Sequence, residues 1–306
     1  MLRYDDLQVF VHTSDSGSLS AAARQLEISP AVASAALKRL ESELEVRLFA
    51  RSTRSLRLTP EGDAFLLHAR ASLRSLEEGR RLLQGGKDQI AGVLQLSAPS
   101  DFGRNLLLPW LDEFQARYPQ LSLRLLLGDR VTDLYRQPVD VAIRYGAPAD
   151  SSLVALPLAP DNRRVLCAAP GYLAERGAPP QPDDLREHNC LLYQLGGRVH
   201  DRWAFQRGRR SLTLTVAGDR VCDDADVVRR WALAGKGLVY KSWLDVAEDV
   251  RAGRLRLLLP EWQGEATPMN LLCTHRAQLT RPVTLLRAFV RERCDALLAE
   301  APWTRN

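Results

Sequence analysis

The chain has 306 residues, which is enough for two or three domains, each with its own hydrophobic core. Its content of 45% hydrophobic and 26% charged residues is ordinary for a globular protein. The net charge of +5 permits a nucleic-acid partner without proving one, so the argument has to rest on local patterns.

Targeting signals and cysteine-based sites are not predicted. Asp5 and Asp6 stand where a secretory signal peptide would be basic, and no apolar run approaches the ~18 residues of a membrane span, so we expect a cytoplasmic protein without a membrane partner. The cysteines are odd in number, scattered and without a CxxC pair. They predict reduced thiols, not a disulfide framework or a zinc site.

The first elements are three helices. A helical pattern spans residues 5–16, and residues 19–44 predict two further helices with a corner at Glu27-Ile28. Ser18 and Ser29 are expected N-caps, and Pro30 fits the first helical position because its missing N–H costs nothing there. The third helix has an apolar inner stripe of Ala33, Ala36, Leu37, Leu40 and Leu44.

The opposite face of this third helix carries small, hydroxylated and basic residues, namely Ser34, Ala35, Lys38 and Ser42. A helix with an apolar back and such a front suits insertion into the major groove of DNA. An ordinary helical hairpin with a solvated face is the alternative.

A basic hairpin follows. Apolar pairs at residues 48–49 and 56–58 flank a tip rich in arginine and hydroxyl groups, which predicts two short strands and a turn. Arg51 and Arg54 would straddle a phosphate backbone or enter a minor groove, unless the tip is only a solvated loop. Three helices followed by a basic hairpin form a winged helix-turn-helix.

A long amphipathic helix comes next. Thr59 is its expected N-cap, Pro60 its first residue, and the pattern continues to Gly85. Its apolar stripe consists of Phe65, Leu66, Ala69, Leu73, Leu76 and Leu83. A second copy of the chain is the simplest partner for such a stripe, so we predict a dimerising linker helix. Packing onto its own domain is the alternative.

Residues 1–87 resemble the N-terminal part of LysR-type transcriptional regulators. The matching elements are Leu7-Gln8-Val9-Phe10, Gly17-Ser18-Leu19-Ser20 with Ala21-Ala22-Ala23, Leu26, Ser29-Pro30, Ser34, Leu40-Glu41, Arg47-Leu48-Phe49, Arg51, Arg54 and Leu58-Thr59-Pro60-Glu61-Gly62. One departure is Ala35, followed by Ala36, where family members commonly have a long polar residue. Base reading would then rest on Ser34, Lys38, thymine-methyl contacts from Ala31 or Ala35, and DNA shape.

From Gly92 onward strands and helices alternate, which predicts parallel α/β sheets. Strands are expected at 93–98, 121–127, 139–145, 153–158, 163–169, 190–195, 211–216, 254–259 and 269–274, and a turn and strand at 235–240. Helices are expected at 106–118, 132–136, 221–233 and 281–299. Two lobes with the chain crossing twice between them would resemble a periplasmic-binding-protein fold. The family resemblance continues here more weakly, in Tyr118-Pro119, Val139 to Gly146 and Ala234 to Gly237.

The predicted fold is thus an α+β winged helix-turn-helix with a long linker helix, followed by a two-lobed α/β effector domain. We place the DNA-binding domain at 1–59, the linker helix at 60–87 and the regulatory domain at 88–306. One lobe would comprise about 88–160 and 268–306, and the other 161–267.

Ligands of α/β sheets bind beyond the carboxyl ends of strands and at helix N-termini. The resemblance implies an effector in the cleft between the lobes, and segments of this kind would line it. The candidate residues are Ser100, Asp101, Phe102, Arg144, Leu195, Gly196, Cys222, Asp223 and Lys241. As alternatives, residues such as Ser100 and Asp223 or Asp224 are more often plain helix N-caps, Arg144 can form an ion pair at the strand end, and Cys222 is better explained as an inert buried thiol.

No motif for catalysis is present, since the sequence lacks GxSxG, HExxH, a Walker loop and GxGxxG, and its histidines are dispersed. We therefore predict a sequence-specific regulator that is not an enzyme and needs no cofactor or metal. Its DNA contacts would come from Ser29, Pro30, Ala31, Ser34, Ala35, Lys38, Arg51, Ser52, Thr53 and Arg54.

Partners follow from this interpretation and from the resemblance. They are double-stranded DNA with an interrupted palindrome, a small-molecule effector such as a carboxylate, RNA polymerase for an activator, and further copies of the chain in a dimer or homotetramer. The alternative function is a solute-binding or enzymatic α/β protein whose N-terminal helices serve only in assembly.

Overall fold

The computed structural model describes residues 1–51, 56–83, 90–129, 139–146, 153–195 and 197–304. The chain forms two compact units, residues 1–89 and residues 90–306. Within the described ranges, no helix is both long and apolar enough to cross a membrane. The wing residues Ser52, Thr53 and Arg54, the expected helix at 132–136 and Gly196 lie outside the described residues.

The first unit contains the expected three helices, a hairpin and a long helix. These are α1 (Tyr4–Ser16), α2 (Leu19–Gln25), α3 (Pro30–Leu44), β1 (Phe49–Arg51), β2 (Leu56–Leu58) and α4 (Pro60–Leu83). The side chain of Ser18 accepts the amide of Ala21, and that of Ser29 accepts the amide of Val32, so both predicted N-caps are confirmed. β1 and β2 pair antiparallel, as the wing prediction required.

Helix α4 begins at a tightly packed corner. The Thr59 hydroxyl donates to the carbonyl oxygen of Arg47 at 2.6 Å and accepts the amide of Gly62 at 2.9 Å, which confirms Thr59 as the cap. A Cβ atom at position 62 would collide with the Leu48 carbonyl, so only glycine fits there. Leu66 and Ala69 of α4 are buried in the core of this unit, whereas Leu76 is 58% exposed.

A buried carboxylate fixes the hairpin to α3. Glu41 is 7% exposed, and its Oε1 accepts the backbone amides of Leu48 at 2.9 Å and Phe49 at 3.3 Å. Its other oxygen accepts from Arg47 at 3.1 Å. Glu41 therefore satisfies two amides at the start of the wing that no strand partner reaches.

The second unit begins with a lobe built on a five-stranded sheet. Its strands are β3 (Gly92–Ala98), β4 (Leu121–Leu127), β5 (Val141–Tyr145), β6 (Val154–Ala159) and β16 (Met269–Cys273), in the order β4-β3-β5-β16-β6. A continuous helical segment links β3 to β4, formed by α5 (Ser100–Phe102), a π-helical stretch (Gly103–Leu107) and α6 (Leu108–Arg117). Helix α10 (Arg281–Leu298) packs against β6, and two 3-10 turns (Arg276–Gln278 and Pro302–Thr304) flank it.

The other lobe holds a six-stranded and a three-stranded sheet. Its elements are β7 (Arg164–Ala168), α7 (Pro170–Arg176), a 3-10 helix (Pro182–Glu187), β8 (Cys190–Leu195), β9 (Arg198–Val199), β10 (Arg202–Arg207), β11 (Arg210–Thr215), β12 (Val221–Cys222), α8 (Ala225–Leu233), β13 (Leu238–Ser242), α9 (Trp243–Arg251), β14 (Arg256–Leu258) and β15 (Gln263–Gly264). The larger sheet has the order β12-β8-β13-β7-β14 with β9 paired to β8, and the smaller has the order β11-β10-β15.

Three expectations about this unit are wrong in detail. The main sheets are mixed, since β16 pairs antiparallel with β5 and β6, and β7 pairs antiparallel with β13 and β14. The helix expected from residue 221 starts only at Ala225, because residues 221–222 pair with β8 as a strand. Helices α7 and α9 and strand β10 are present where the sequence pattern predicts none of them.

The two chain crossings between the lobes lie side by side. Asn162, in the first crossing, is fully buried and donates to the Ser242 hydroxyl at 2.9 Å and to the Thr267 carbonyl at 2.7 Å. Arg163 forms a β-bridge with Ala266 of the return crossing.

Replacing Glu41 with alanine should leave the amides of Leu48 and Phe49 without an acceptor. An unsatisfied buried group costs about 1–3 kcal/mol, so exchange of these amides should accelerate. Hydrogen exchange of the full chain, read by mass spectrometry on peptides covering residues 45–50, measures the effect. Glu43→Ala, at an exposed position of the same helix, is the control, and equal exchange in the two variants would contradict the role of Glu41.

Candidate DNA-binding surface and effector cleft

The outward face of α3 presents the residue types expected for DNA contact. Ser29, Pro30, Ala31, Ala35 and Lys38 are exposed, and Ser34 is half-buried. On the opposite face Ala33, Ala36, Leu37 and Leu40 are buried, as predicted, whereas Leu44 is only partly so. Arg51 ends β1, next to the undescribed tip of the hairpin. The structure therefore brings the predicted helix contacts onto one surface.

An ion pair fixes the rotation of α3 within this unit. Arg39 donates to both carboxylate oxygens of Asp6 on α1, at 2.6 and 3.3 Å, and Asp6 is 3% exposed. Two parallel hydrogen bonds hold a planar guanidinium in one orientation. The buried stripe of Ala33, Ala36, Leu37 and Leu40 leaves Lys38, on the opposite face, exposed to solvent.

Between the lobes of the second unit lies a buried charge cluster. Lys241, at the end of β13, is 2% exposed and forms ion pairs with Asp101 and, at 3.5 Å, with Asp245. The Tyr145 hydroxyl donates to Asp245 at 2.6 Å from the other lobe. Burial raises the pKa of Asp101 to about 7, although the ammonium of Lys241 acts to lower it. Asp101 and Lys241, both predicted effector residues, thus bind each other.

At the N-terminus of α5 the predicted carboxylate site already holds a carboxylate. Asp129, which follows β4, accepts the amide of Ser100 at 2.8 Å and also its hydroxyl hydrogen. The same carboxylate accepts the amide of Ala225, the first residue of α8 in the other lobe, at 2.7 Å. Ser100 is therefore brought into contact with the start of α8.

A second group of polar contacts joins α5 and α8. Arg104 donates to both oxygens of Asp224 at 3.0 and 2.8 Å, and Asn105 donates to Asp226 at 2.8 Å. Asp224 is also the N-cap of α8, since its side chain accepts the amides of Asp226 and Val227. Burial acts to raise the pKa of Asp224, but hydrogen bonds from Arg104 and from the amide of Val227 hold it below its ordinary value.

Arg144, at the end of β5, points its charge into the same region. Its guanidinium donates to the Ser97 hydroxyl at 2.6 Å and to the carbonyl of Ile143 at 2.8 Å. Burial lowers its pKa, and the nearby Asp129 carboxylate acts in the opposite direction. Among the described residues Arg144 has no carboxylate within ion-pair distance.

The remaining predicted effector residues fall into different surroundings. Phe102 is fully buried in the hydrophobic core with its ring against Trp110, because it occupies the inner face of the helix, so it does not line a surface. Asp223 is exposed, and Leu195 ends β8. The thiol of Cys222 is half-buried and accepts the amide of Asp224 at 3.4 Å.

Several residues of the cluster are missing from the predicted set, namely Arg104, Asn105, Asp129, Tyr145, Asp226 and Asp245. Asp129 had a usable signal, because it follows a strand that is parallel to β3 and therefore ends at the same edge of the sheet. Asp226 and Asp245 had no such sequence signal, because an acidic residue near the start of a helix is normally solvated. A cavity of about 390 Å³, lined by second-lobe residues such as Trp262 and by the 3-10 turn at Pro302–Thr304, contains no predicted effector residue.

Known proteins share both units. Residues 4–63 match the bacterial regulatory helix-turn-helix protein family, lysR family, and residues 87–295 match the LysR substrate binding domain. The HTH-type transcriptional regulator DmlR of Escherichia coli (strain K12) is 32% identical over 275 residues, covering 90% of this chain and 88% of the relative. The HTH-type transcriptional activator TtdR of the same organism is 32% identical over 283 residues, covering 92% and 89%.

Solved structures give the same result. CrgA, a LysR-type transcriptional regulator from Neisseria meningitidis, is 31% identical with a TM-score of 0.59, covering 94% of this chain and 98% of CrgA. A full-length variant of OxyR from Pseudomonas aeruginosa shares the fold at 17% identity, with a TM-score of 0.69 over 96% and 95% of the two chains. The chain belongs to the LysR-type transcriptional regulators, with an N-terminal helix-turn-helix domain and a two-lobed α/β effector-binding domain.

Proposed function

We propose that this regulator binds promoter DNA through the exposed face of α3 and the wing, and that it acts by binding, not by catalysis. The observation that carries this proposal is the surface of α3, where Lys38 and the hydroxyl of Ser29 are exposed beside small side chains. Lys38 supplies a charge for a phosphate, while Ala31 and Ala35 let the helix approach base edges closely. Ser34 adds a hydroxyl contact, and Arg51, Ser52, Thr53 and Arg54 extend the contacts to the neighbouring groove.

Replacing Lys38 with alanine should weaken DNA binding about tenfold, which is ~1.4 kcal/mol. The salt dependence of the binding constant should fall by about one released counterion for each DNA-bound N-terminal unit. Fluorescence anisotropy with the promoter region beside the protein's own coding sequence measures both. Arg124→Ala removes one exposed charge from the second unit and is the matched control.

The alternative function, an α/β solute-binding protein or enzyme with N-terminal assembly helices, predicts a different outcome. It requires that the wild-type chain show no saturable, sequence-selective and salt-sensitive DNA binding. Loss of the oligomer in Lys38→Ala, with DNA affinity per oligomer unchanged, would show that this face serves assembly.

We propose further that α4 pairs two copies of the chain. The first half of its apolar stripe is used within its own unit, where Leu66 and Ala69 are buried. Leu76, farther along the stripe, is exposed, and a second α4 would cover it. Two N-terminal DNA-binding units paired in this way suit an operator with an interrupted palindrome. Separate pairing of the effector domains would give a homotetramer able to recruit RNA polymerase.

Leu76→Asp should disrupt this pairing because it places a charge in an apolar contact. Burial of a leucine contributes about 1.5–3 kcal/mol, so the dissociation constant of the dimer should rise about ten- to a hundredfold. Sedimentation velocity over a concentration series measures the change. Ser75→Asp introduces the same charge at the adjacent exposed position and should have little effect. Equal behaviour of the two variants would contradict the pairing through α4.

The effector, we propose, is a small organic anion. The guanidinium of Arg144 is half-buried in the cleft and has no described carboxylate at ion-pair distance, although Asp129 interacts with it electrostatically from farther away. A buried charge is costly unless it is paired, and an anionic ligand would supply the missing partner.

A further inference from the structure

Asp129 occupies a site that is built to hold an anion. Its carboxylate accepts three hydrogen bonds, from the amide and the hydroxyl of Ser100 and from the amide of Ala225. Ser100 is 1% exposed, whereas Asp129 itself is only half-buried. Ser100 is therefore enclosed by the protein, while Ala225 and Asp129 are both half-buried, at the edge of the site.

The charges around this carboxylate all favour an anion. Ser100 and Ala225 are the first residues of two helical segments, and first-turn amides carry partial positive charge. The segment that begins at Ser100 continues through Arg117, and α8 runs to Leu233. Asp129 also interacts electrostatically with the guanidinium groups of Arg104 and Arg144. We call Ser100, Arg104, Arg144 and Ala225 the anion cradle.

The cradle joins the two lobes. Ser100, Arg104 and Arg144 belong to the first lobe, and Ala225 begins α8 in the second. Asp129 extends from the end of β4, so its bond to Ala225 is a direct contact between the lobes. Whatever anion fills the cradle therefore contributes to the arrangement of the lobes.

We propose that Asp129 is an intramolecular competitor of the effector, filling the anion cradle until a carboxylate of the effector displaces it. This inference rests on the proposed anionic effector. Exchange of one carboxylate for another leaves the donors of Ser100 and Ala225 satisfied, and Asp129 can turn into water. With a tethered competitor, the apparent dissociation constant of the effector equals its intrinsic value divided by the fraction of time that the site is empty. Asp129 thereby sets the effector concentration at which the regulator responds.

Removal of the Asp129 side chain should open the cradle to a free carboxylate. In chloride buffer, full-length Asp129→Ala should unfold at a lower temperature than the wild type. Acetate should then stabilise this variant in a saturable manner, with an apparent affinity at least tenfold higher than for the wild type. Thermal unfolding in acetate against chloride at equal ionic strength measures this. Asp112→Ala, at an exposed position of α6, is the matched control and should behave as the wild type.

Two further measurements make the test decisive. Exchange of the Ala225 amide should accelerate in Asp129→Ala and slow again in acetate. Ser100→Ala combined with Asp129→Ala should weaken the acetate effect, because it removes the hydroxyl donor and leaves the two amides. Should Asp129→Ala not fold, Asp129→Asn keeps the shape of the side chain and should show the acetate effect more weakly. An acetate effect equal in Asp129→Ala and Asp112→Ala, or unchanged by Ser100→Ala, would overturn the proposal.

The DNA-binding assay separates this inference from the proposed function. If acetate leaves the unfolding temperature of Asp129→Ala unchanged while wild-type DNA binding is saturable and sensitive to Lys38→Ala, only the proposed role of Asp129 is wrong. If acetate stabilises Asp129→Ala but the wild-type chain binds no DNA selectively, the anion cradle is supported and the proposed DNA-binding function of the N-terminal unit is wrong.

Discussion

The arrangement of the effector-binding domain depends on one buried ammonium group, that of Lys241. Burial alone would lower its pKa, but the carboxylates of Asp101 and Asp245 raise it, so the side chain stays charged. It also donates to the carbonyl oxygen of Ala225 at 3.0 Å. Removing one member of such a buried pair commonly costs about 3–5 kcal/mol, because the other charge is left unpaired. The end of β13 and the starts of α5, α8 and α9 must therefore stay together around this group.

The predictions that came true from sequence rest on local chemistry. A hydroxyl before a helix, with proline at its first position in two cases, predicted the caps Ser18, Ser29 and Thr59, because such a cap acts within four residues of itself. The alternation of apolar residues located most strands of the effector domain for the same reason. Pairing direction is a property of distant segments, which explains why an all-parallel sheet was expected and a mixed one is observed.

The features that the sequence did not predict depend on side chains whose contacts are made by distant helices and strands. Helix α9 follows β13 without a turn residue, and its Asp249 is fully buried between Arg229 and Arg254. In sequence, Asp245 and Asp249 look like solvated acids, although Trp243, Val246, Ala247 and Val250 fall at helical spacing. Glu41 has the same ambiguity, since only the fold shows that it receives the amides of Leu48 and Phe49. Glu41 therefore has a structural role in α3 that its residue type alone does not indicate.

The contacts between the lobes differ in how readily they can change. Lys241 and its partners are buried, so a rearrangement that separated them would leave unpaired charges in the protein interior, where they are poorly solvated. The pair of Arg104 and Asp224 is partly exposed, and pairs of this kind contribute only about 0–1 kcal/mol. Asp129 is likewise half-buried and held mainly by hydrogen bonds that another carboxylate can replace. A ligand shifts a conformational equilibrium only by its difference in affinity between two states. The anion cradle is where such a difference can arise, because its contacts exchange at little cost while the lobes remain joined at Lys241.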